Sequence, residues 1–186
     1  MKVDCNLPGP LVSKFRRELK IGMFIETGTG GGDTTELAAM AFDRVLSCEI
    51  DPRLVHRAKD RLAPYPNVTV TTEPSPEFLR REVPLIDQPV MYWLDAHWSG
   101  GPLKPERECP LLEELQAIGS LGDSTIILID DAELFINPPA RPHDPTHWPT
   151  ILQITNLIDS WNEPYHYEWH INGTRRVLAV VPGEVE

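Results

Sequence analysis

The sequence predicts a doubly wound α/β fold built on one open sheet, and three observations predict it. Residues 23–40 read as an apolar strand that breaks into glycines and resumes as a helix. Strand and helix patterns then alternate along the chain, with continuous apolar runs at residues 90–96 and 124–130 that suit parallel strands covered on both faces. Finally, residues 165–171 alternate polar and apolar, and Asn172-Gly173 joins them to the apolar run 176–181, a hairpin with no helix between its strands.

The elements follow in order. Residues 11–19 form a short amphipathic segment ahead of the core. Met23-Phe24-Ile25 open the first strand, and Thr27-Gly28-Thr29-Gly30-Gly31-Gly32 make the turn. Asp33 with Glu36 predicts a capping box, and Leu37, Met40 and Ala41 fall on one helical face. A second strand spans 45–50, and Asp51-Pro52 cap a helix that turns Leu54, Val55, Ala58 and Leu62 inward. A third strand covers 67–72. Ser75-Pro76 start a helix carrying Phe78 and Leu79, with Ser75 as a candidate cap. Leu111, Leu112, Leu115 and Ile118 mark a helix that stops near Gly119. Residues 132–149 are a proline-rich loop, and Ile151, Ile154, Leu157 or Ile158, and Trp161 mark the last helix. In the hairpin, the alternating strand is expected at the sheet edge and the apolar one inside.

With 186 residues the chain suits one domain, residues 1–186, with no internal repeat or linker. Net charge is −11, which argues against non-specific contact with nucleic acid or anionic membranes, because no basic stripe neutralises phosphates. The partner expectation is therefore a small-molecule substrate, no nucleic acid and no membrane, with homo-oligomerisation left open. The N-terminus lacks the apolar stretch of a signal peptide, and no run reaches the length of a membrane span. Cys5, Cys48 and Cys109 contain no C-x-x-C pair, so reduced thiols and a cytoplasmic location are expected.

The glycine turn separates two nucleotide-binding plans. The dinucleotide spacing G-x-G-x-x-G fails, since Asp33 or Thr35 stands where its third glycine belongs, and an acid at a helix start opposes a pyrophosphate. Glu26, two residues before the first glycine, suits instead a ligand bearing an ammonium and a sulfonium. Glu26-Thr27-Gly28-Thr29-Gly30-Gly31 resembles motif I of the class I S-adenosylmethionine-dependent methyltransferases, and the closing hairpin matches their Rossmann-like seven-stranded sheet, order 3-2-1-4-5-7-6, with helices on both faces. The blocks LDAHWSGG and LIDDA resemble a group of small bacterial class I methyltransferase-like proteins. The resemblance runs from Phe24 to about Phe135 and departs at Gly31-Gly32, where a bulkier pair is expected.

The candidate cofactor residues are Glu26, Thr27, Gly28, Thr29, Gly30, Glu49, Glu73, Ser75 and Asp95. Glu49 follows Gly28 by 21 positions (28 to 49), the spacing of an acid that accepts from ribose hydroxyls. Glu73 and Ser75 lie where the resemblance puts adenine contacts. Asp95, Asp130 and Asp131 end two strands that neighbour each other in this sheet order. Three carboxylates that close repel one another, and Mg²⁺ would remove the conflict. The same pattern resembles metal-dependent O-methyltransferases, whose metal orients two substrate oxygens and lowers the pKa of the one attacked.

His97 and Asp95 are the candidate catalytic residues. Histidine titrates near neutrality and can take a substrate proton. His143 and His147 are rival bases on the proline-rich loop, which is long enough to act as a lid. Arg141 is a candidate contact for an anionic substrate, and Trp98 and Trp148 are candidate pocket walls. His56, His166 and His170 read as surface positions.

The expected activity is methyl transfer from S-adenosylmethionine to a small-molecule acceptor, an oxygen by preference, with Mg²⁺ as candidate helper. The alternatives are a metal-independent N-methyltransferase, a catalytically silent donor-binding protein and a nicotinamide-dependent oxidoreductase.

Overall fold

A computed structural model describes residues 7–119, 125–172 and 175–183. Cys5, Ser124 and Gly173 of the predicted hairpin turn lie outside the described residues. One sheet of seven strands runs through the molecule in the order β3-β2-β1-β4-β5-β7-β6. The strands are β1 (Met23–Thr27), β2 (Arg44–Glu49), β3 (Val68–Thr72), β4 (Val90–Leu94), β5 (Thr125–Ile129), β6 (Tyr165–Asn172) and β7 (Arg175–Pro182). The first five are parallel, while β7 runs antiparallel to both β5 and β6. The predicted order is met, with the alternating strand at the edge and the apolar one inside.

The helices are α1 (Gly9–Glu18), α2 (Asp33–Ala41), α3 (Pro52–Leu62), α4 (Ser75–Glu82), α5 (Leu111–Ile118) and α6 (Ile151–Asp159). They cover both faces of the sheet, which explains why β1, β4 and β5 are fully buried and why β4 and β5 are apolar at nearly every position. One face packs Ile25, Tyr92, Ile127 and Leu178 against α4, α5 and α6; the other packs Phe24, Trp93, Leu128 and Ala179 against α1 and α2. Each leucine, isoleucine or phenylalanine among them contributes roughly 1.5–3 kcal/mol on removal from water.

Strand register sets the site. Thr27 pairs with Cys48 and with Leu94, and Leu94 pairs with Ile129. The residues that follow, Gly28, Glu49, Asp95 and Asp130, therefore leave the sheet side by side. The strand order reverses between β1 and β4, the position at which open α/β sheets bind ligands.

Helix α2 corrects two expectations. Its cap is Gly32, in the left-handed region at φ 84°, and no side chain caps it. Asp33 is instead ion-paired to Arg61, and Glu36 accepts from the Tyr65 hydroxyl, so the capping box does not form. The buried face is Thr35, Ala38 and Ala39, while Leu37 and Met40 are exposed. Ser75 is likewise the first residue of α4 and does not cap it; Pro74 occupies the cap position.

The cap predicted at Asp51 forms, and α6 has one at Thr150 that was not predicted. Asp51 accepts from the Arg53 amide at 2.9 Å. Thr150 and Gln153 make a reciprocal capping box on α6. At the edge, Tyr165 and Tyr167 pack inward, but Trp169 and Ile171 are exposed.

Candidate active site

A cavity of about 590 Å³ opens beyond the carboxyl ends of β1, β2 and β4, within the range of small-molecule sites. Its floor includes Gly28, Gly30, Glu49 and Asp95; Glu73 and Ser75 stand on one side, and His97, Trp98, Asp131 and Arg175 on the other.

Two glycines in the turn have different jobs. Gly28 has φ +84°, and a Cβ there would stand 2.3 Å from the Asp95 carbonyl oxygen. It is glycine because the backbone of Asp95 and Ala96, just beyond β4, passes beside it. Gly30 has φ +53°, and a Cβ there would meet nothing within 4 Å. Its bare backbone faces the cavity, and its amide donates to Glu49 Oε2 at 3.0 Å. Glu49 Oε1 accepts from the Asp51 amide at 2.9 Å, so both oxygens are held at the end of β2.

Glu26 does not line the cavity, contrary to the expectation that it points into the crevice. It is buried below the glycine turn, where Oε2 accepts from Thr35 Oγ1 at 2.5 Å and from Ser47 Oγ at 2.6 Å. Thr29 Oγ1 joins Ser47 Oγ at 2.5 Å. Glu26 Oε1 has no hydrogen-bond partner. Burial, partly offset by the two hydroxyls, pushes the Glu26 carboxyl up to about 7. Thr27 is buried too, and its hydroxyl lies 3.3 Å from the Asp95 amide. Glu73 is ion-paired to Arg81 of α4.

Asp95, His97, Asp130 and Asp131 come together with a residue the sequence reading missed, Arg175 at the start of β7. His97 Nε2 lies 3.2 Å from Asp131 Oδ2, and its Nδ1 lies 3.6 Å from Asp95 Oδ1. Arg175 reaches Asp131 at 3.2 Å and Asp130 at 3.5 Å. Burial raises the Asp95 carboxyl well above the usual carboxylate range, opposed by His97 and reinforced by Asp130 and Asp131. Burial also lifts Asp130 to about 6, with Asp131 adding to the rise. Asp131 goes the other way: burial resists, but the His97 hydrogen bond and the charges of His97 and Arg175 lower it. Burial works against the His97 imidazolium, yet the surrounding aspartates leave its pKa raised.

This arrangement does not meet the expectation of Mg²⁺ on Asp95, Asp130 and Asp131. Among the described residues no group of three or more His, Cys, Asp or Glu side chains is arranged to hold a metal ion. The protein's own cations, His97 and Arg175, stand against these acids. The sequence displayed the acids and His97 but not Arg175, which folds against them.

Other candidates are placed as follows. His143 and Trp148 do not line the cavity; both bond Glu108, a buried acid behind the wall that the sequence reading also missed. His147 faces Asp144 at 3.8 Å, and Arg141 is exposed away from the cavity. Glu114 is buried on the inner face of α5 between Leu111 and Leu115, and burial pushes it up to about 7. An acid inside an apolar helical stripe is a signal that periodicity could have supplied.

No protein-family model matches the chain. Among solved structures, the methyltransferase domain of bacterial CtHen1-C superposes with a TM-score of 0.62 at 12% identity, covering 95% of this chain and 96% of that one. The O-methyltransferase TomG from Streptomyces achromogenes, in complex with SAM, gives 0.61 at 17% identity over 94% of this chain and 79% of its own. The O-methyltransferase from Bacillus cereus in complex with SAH gives 0.61 at 17%, over 94% and 81%.

This is the Rossmann-like class I methyltransferase fold.

Curated relatives add a shorter match. The ribosomal RNA small subunit methyltransferase A of Staphylococcus haemolyticus is 39% identical over 71 residues, 38% of this chain. That of Staphylococcus epidermidis is 37% identical over the same length. The chain spans about a quarter of the length of these relatives, 24%. The match corrects the expectation that nucleic acid is excluded as a partner: the curated relatives are named for ribosomal RNA. Net charge averages over the whole surface and does not report on one binding face. Among the described residues no helix is long and apolar enough to cross a membrane.

Proposed function

We propose that the chain binds S-adenosylmethionine across the β1–α2 turn and transfers its methyl group to an acceptor oxygen beside Asp95. One observation carries this reading: register and turn geometry bring the bare backbone of Gly30, the Glu49 carboxylate and the Asp95 carboxyl into a single cavity at the switch point. When bound, the donor supplies an electrophilic methyl with a good leaving group. The chain's own work is alignment and proton transfer.

In this reading Glu49 accepts from ribose hydroxyls, and Glu73 with Ser75 borders the adenine. Glu26, with its unpartnered oxygen, supplies negative potential beneath the turn for the ammonium. Thr27, Gly28 and Thr29 shape that turn.

His97 faces acids through both ring nitrogens, which favours the imidazolium, so it is a poor base at neutral pH. Asp95, with its raised pKa, is the better proton acceptor, and His97 orients it. No step passes through Mg²⁺.

A nitrogen acceptor is the second reading. One finding favours it: the matched curated relatives are named as ribosomal RNA methyltransferases, and the bases of RNA offer nitrogen acceptors. Isotope-labelled donor tests both, offered with a panel of hydroxyl and amine acceptors and with RNA, in the presence and absence of EDTA. Calorimetric indifference to S-adenosylmethionine and S-adenosylhomocysteine, with tight binding of NADH, would overturn the donor assignment.

A further inference from the structure

Glu108 is fully buried, yet it sits in the loop that walls the cavity. The loop is closed at its base, where the Trp98 amide donates to the Glu108 carbonyl at 2.7 Å. The carboxylate gathers donors from two separate segments. From its own loop comes Lys104 Nζ at 2.7 Å. From the proline-rich segment come His143 Nδ1 at 3.0 Å, the Asp144 amide at 3.1 Å and Trp148 Nε1 at 3.2 Å.

The rings around it form a continuous chain of edge-to-face and tilted contacts. Trp98 meets His143 at 5.1 Å between centroids, His143 meets Trp148 at 5.8 Å, and Trp148 meets His97 at 5.3 Å. A buried carboxylate that many donors satisfy is a rigid node, and removing its charge leaves several buried donors unmatched.

We propose that Glu108 is a positioning residue: its carboxylate ties the cavity wall to the proline-rich segment and so presses Trp148 against His97, fixing that imidazole between Asp95 and Asp131. The proline-rich segment then acts as a fixed brace, not a lid. The role rests on the reading of this cavity as the methyl-transfer site. Glu108 itself touches no cavity-bound group; it acts through Trp148 and His97. Its hydrogen bonds hold the carboxyl down at about 2 although burial opposes them, so the node stays charged at any ordinary pH.

The test is NMR of the full chain, wild type and Glu108→Gln. Expected in the wild type is a ring-to-ring Overhauser contact between His97 and Trp148, with a slowly exchanging Trp148 indole N–H. Expected in Glu108→Gln is loss of that contact and of the indole protection, with S-adenosylhomocysteine still shifting the Gly28 and Gly30 amides. A variant that melts earlier yet keeps the His97–Trp148 contact would overturn the proposal, because Glu108 would then only stabilise the fold. Lys104→Met, at a half-exposed position, is the second variant should the first not fold. Without its cation Glu108 protonates more readily, so the contact should vanish on acidification at a higher pH than in the wild type; the same pH in both would also overturn the proposal. Failure of S-adenosylhomocysteine to shift wild-type resonances would count against the donor reading and leave the Glu108 result standing.

Discussion

His97 and Asp131 are joined at 3.2 Å through Nε2, with the histidine's other nitrogen turned toward Asp95. Asp131 reaches this position in the left-handed region, at φ 48°, a conformation unusual for a side chain other than Gly, Asn or Asp. The pair has a defined pH signature. Asp131 is lowered, so its contribution is present above the unfolded value near 3.8 and is lost as pH falls through the folded value. His97 is raised, so its contribution is full below about 6.5 and is lost as pH rises through the folded value. Asp131→Asn, which tolerates the same backbone, should cost about 1–3 kcal/mol. Thermal melts from pH 3 to 9 should show the deficit largest between about 4 and 6.5; a deficit independent of pH would refute the pairing.

Glu26 should show the opposite trade. Its carboxyl is raised from 4.5 to about 7, so the folded state prefers the proton and loses stability as pH rises from the lower value through the upper. Glu26→Gln removes that loss and should stabilise the protein by up to roughly 3 kcal/mol at pH 8. The same change should weaken donor affinity about tenfold or more, since it discards the negative potential beneath the turn. Denaturant melts at pH 5 and pH 8, paired with calorimetry, separate the two effects.

The two glycines of the turn should respond differently to alanine. Gly28→Ala places a Cβ against the Asp95 and Ala96 backbone just beyond β4 and should cost about 4 kcal/mol or more. Gly30→Ala meets no atom and should cost only about 1–2 kcal/mol for its left-handed φ. Its main effect should be loss of donor binding, because the methyl enters the cavity. Equal destabilisation of the two variants would contradict the geometry.

Asp95→Asn should reduce methyl transfer by about 10²-fold or more, while donor affinity stays within about twofold. In the wild type the rate should fall on the acid side as Asp95 takes up a proton, and that limb should be missing from the residual activity of the variant. EDTA should leave turnover and melting temperature unchanged. A chelator-sensitive rate restored by Mg²⁺ would show that Asp95, Asp130 and Asp131 rearrange to bind metal.

Much of the fold was legible because covering both faces of a sheet writes itself into residue patterns. Tyr92, Trp93, Ile127 and Leu128 could only be central, and the alternation from Tyr165 to Ile171 marked an edge. Thr35 was not legible. It is a polar residue buried beneath α2 because its hydroxyl serves Glu26, while the apolar Leu37 and Met40 face outward, so periodicity chose the wrong face. At the site, Gly30, Glu49 and Asp95 were found because strand ends converge by topology. Arg175 was missed because its partner Asp130 lies 45 positions away, and Glu108 because, apart from Lys104 four positions before it, its partners come from the proline-rich segment, with Asp144 36 positions on. The metal reading rested on the like charges of Asp95, Asp130 and Asp131, and Arg175, a counter-charge 45 positions from Asp130, was not visible beside them.

The lone oxygen of Glu26 has a consequence for the energetics of ligation. A side chain that holds a proton half the time near pH 7 is a proton reservoir beneath the turn. A cation brought near it would expel that proton into the medium. Association below neutrality would then acidify an unbuffered solution, and its apparent enthalpy would track the ionisation heat of whichever buffer absorbs the released hydrogen ion.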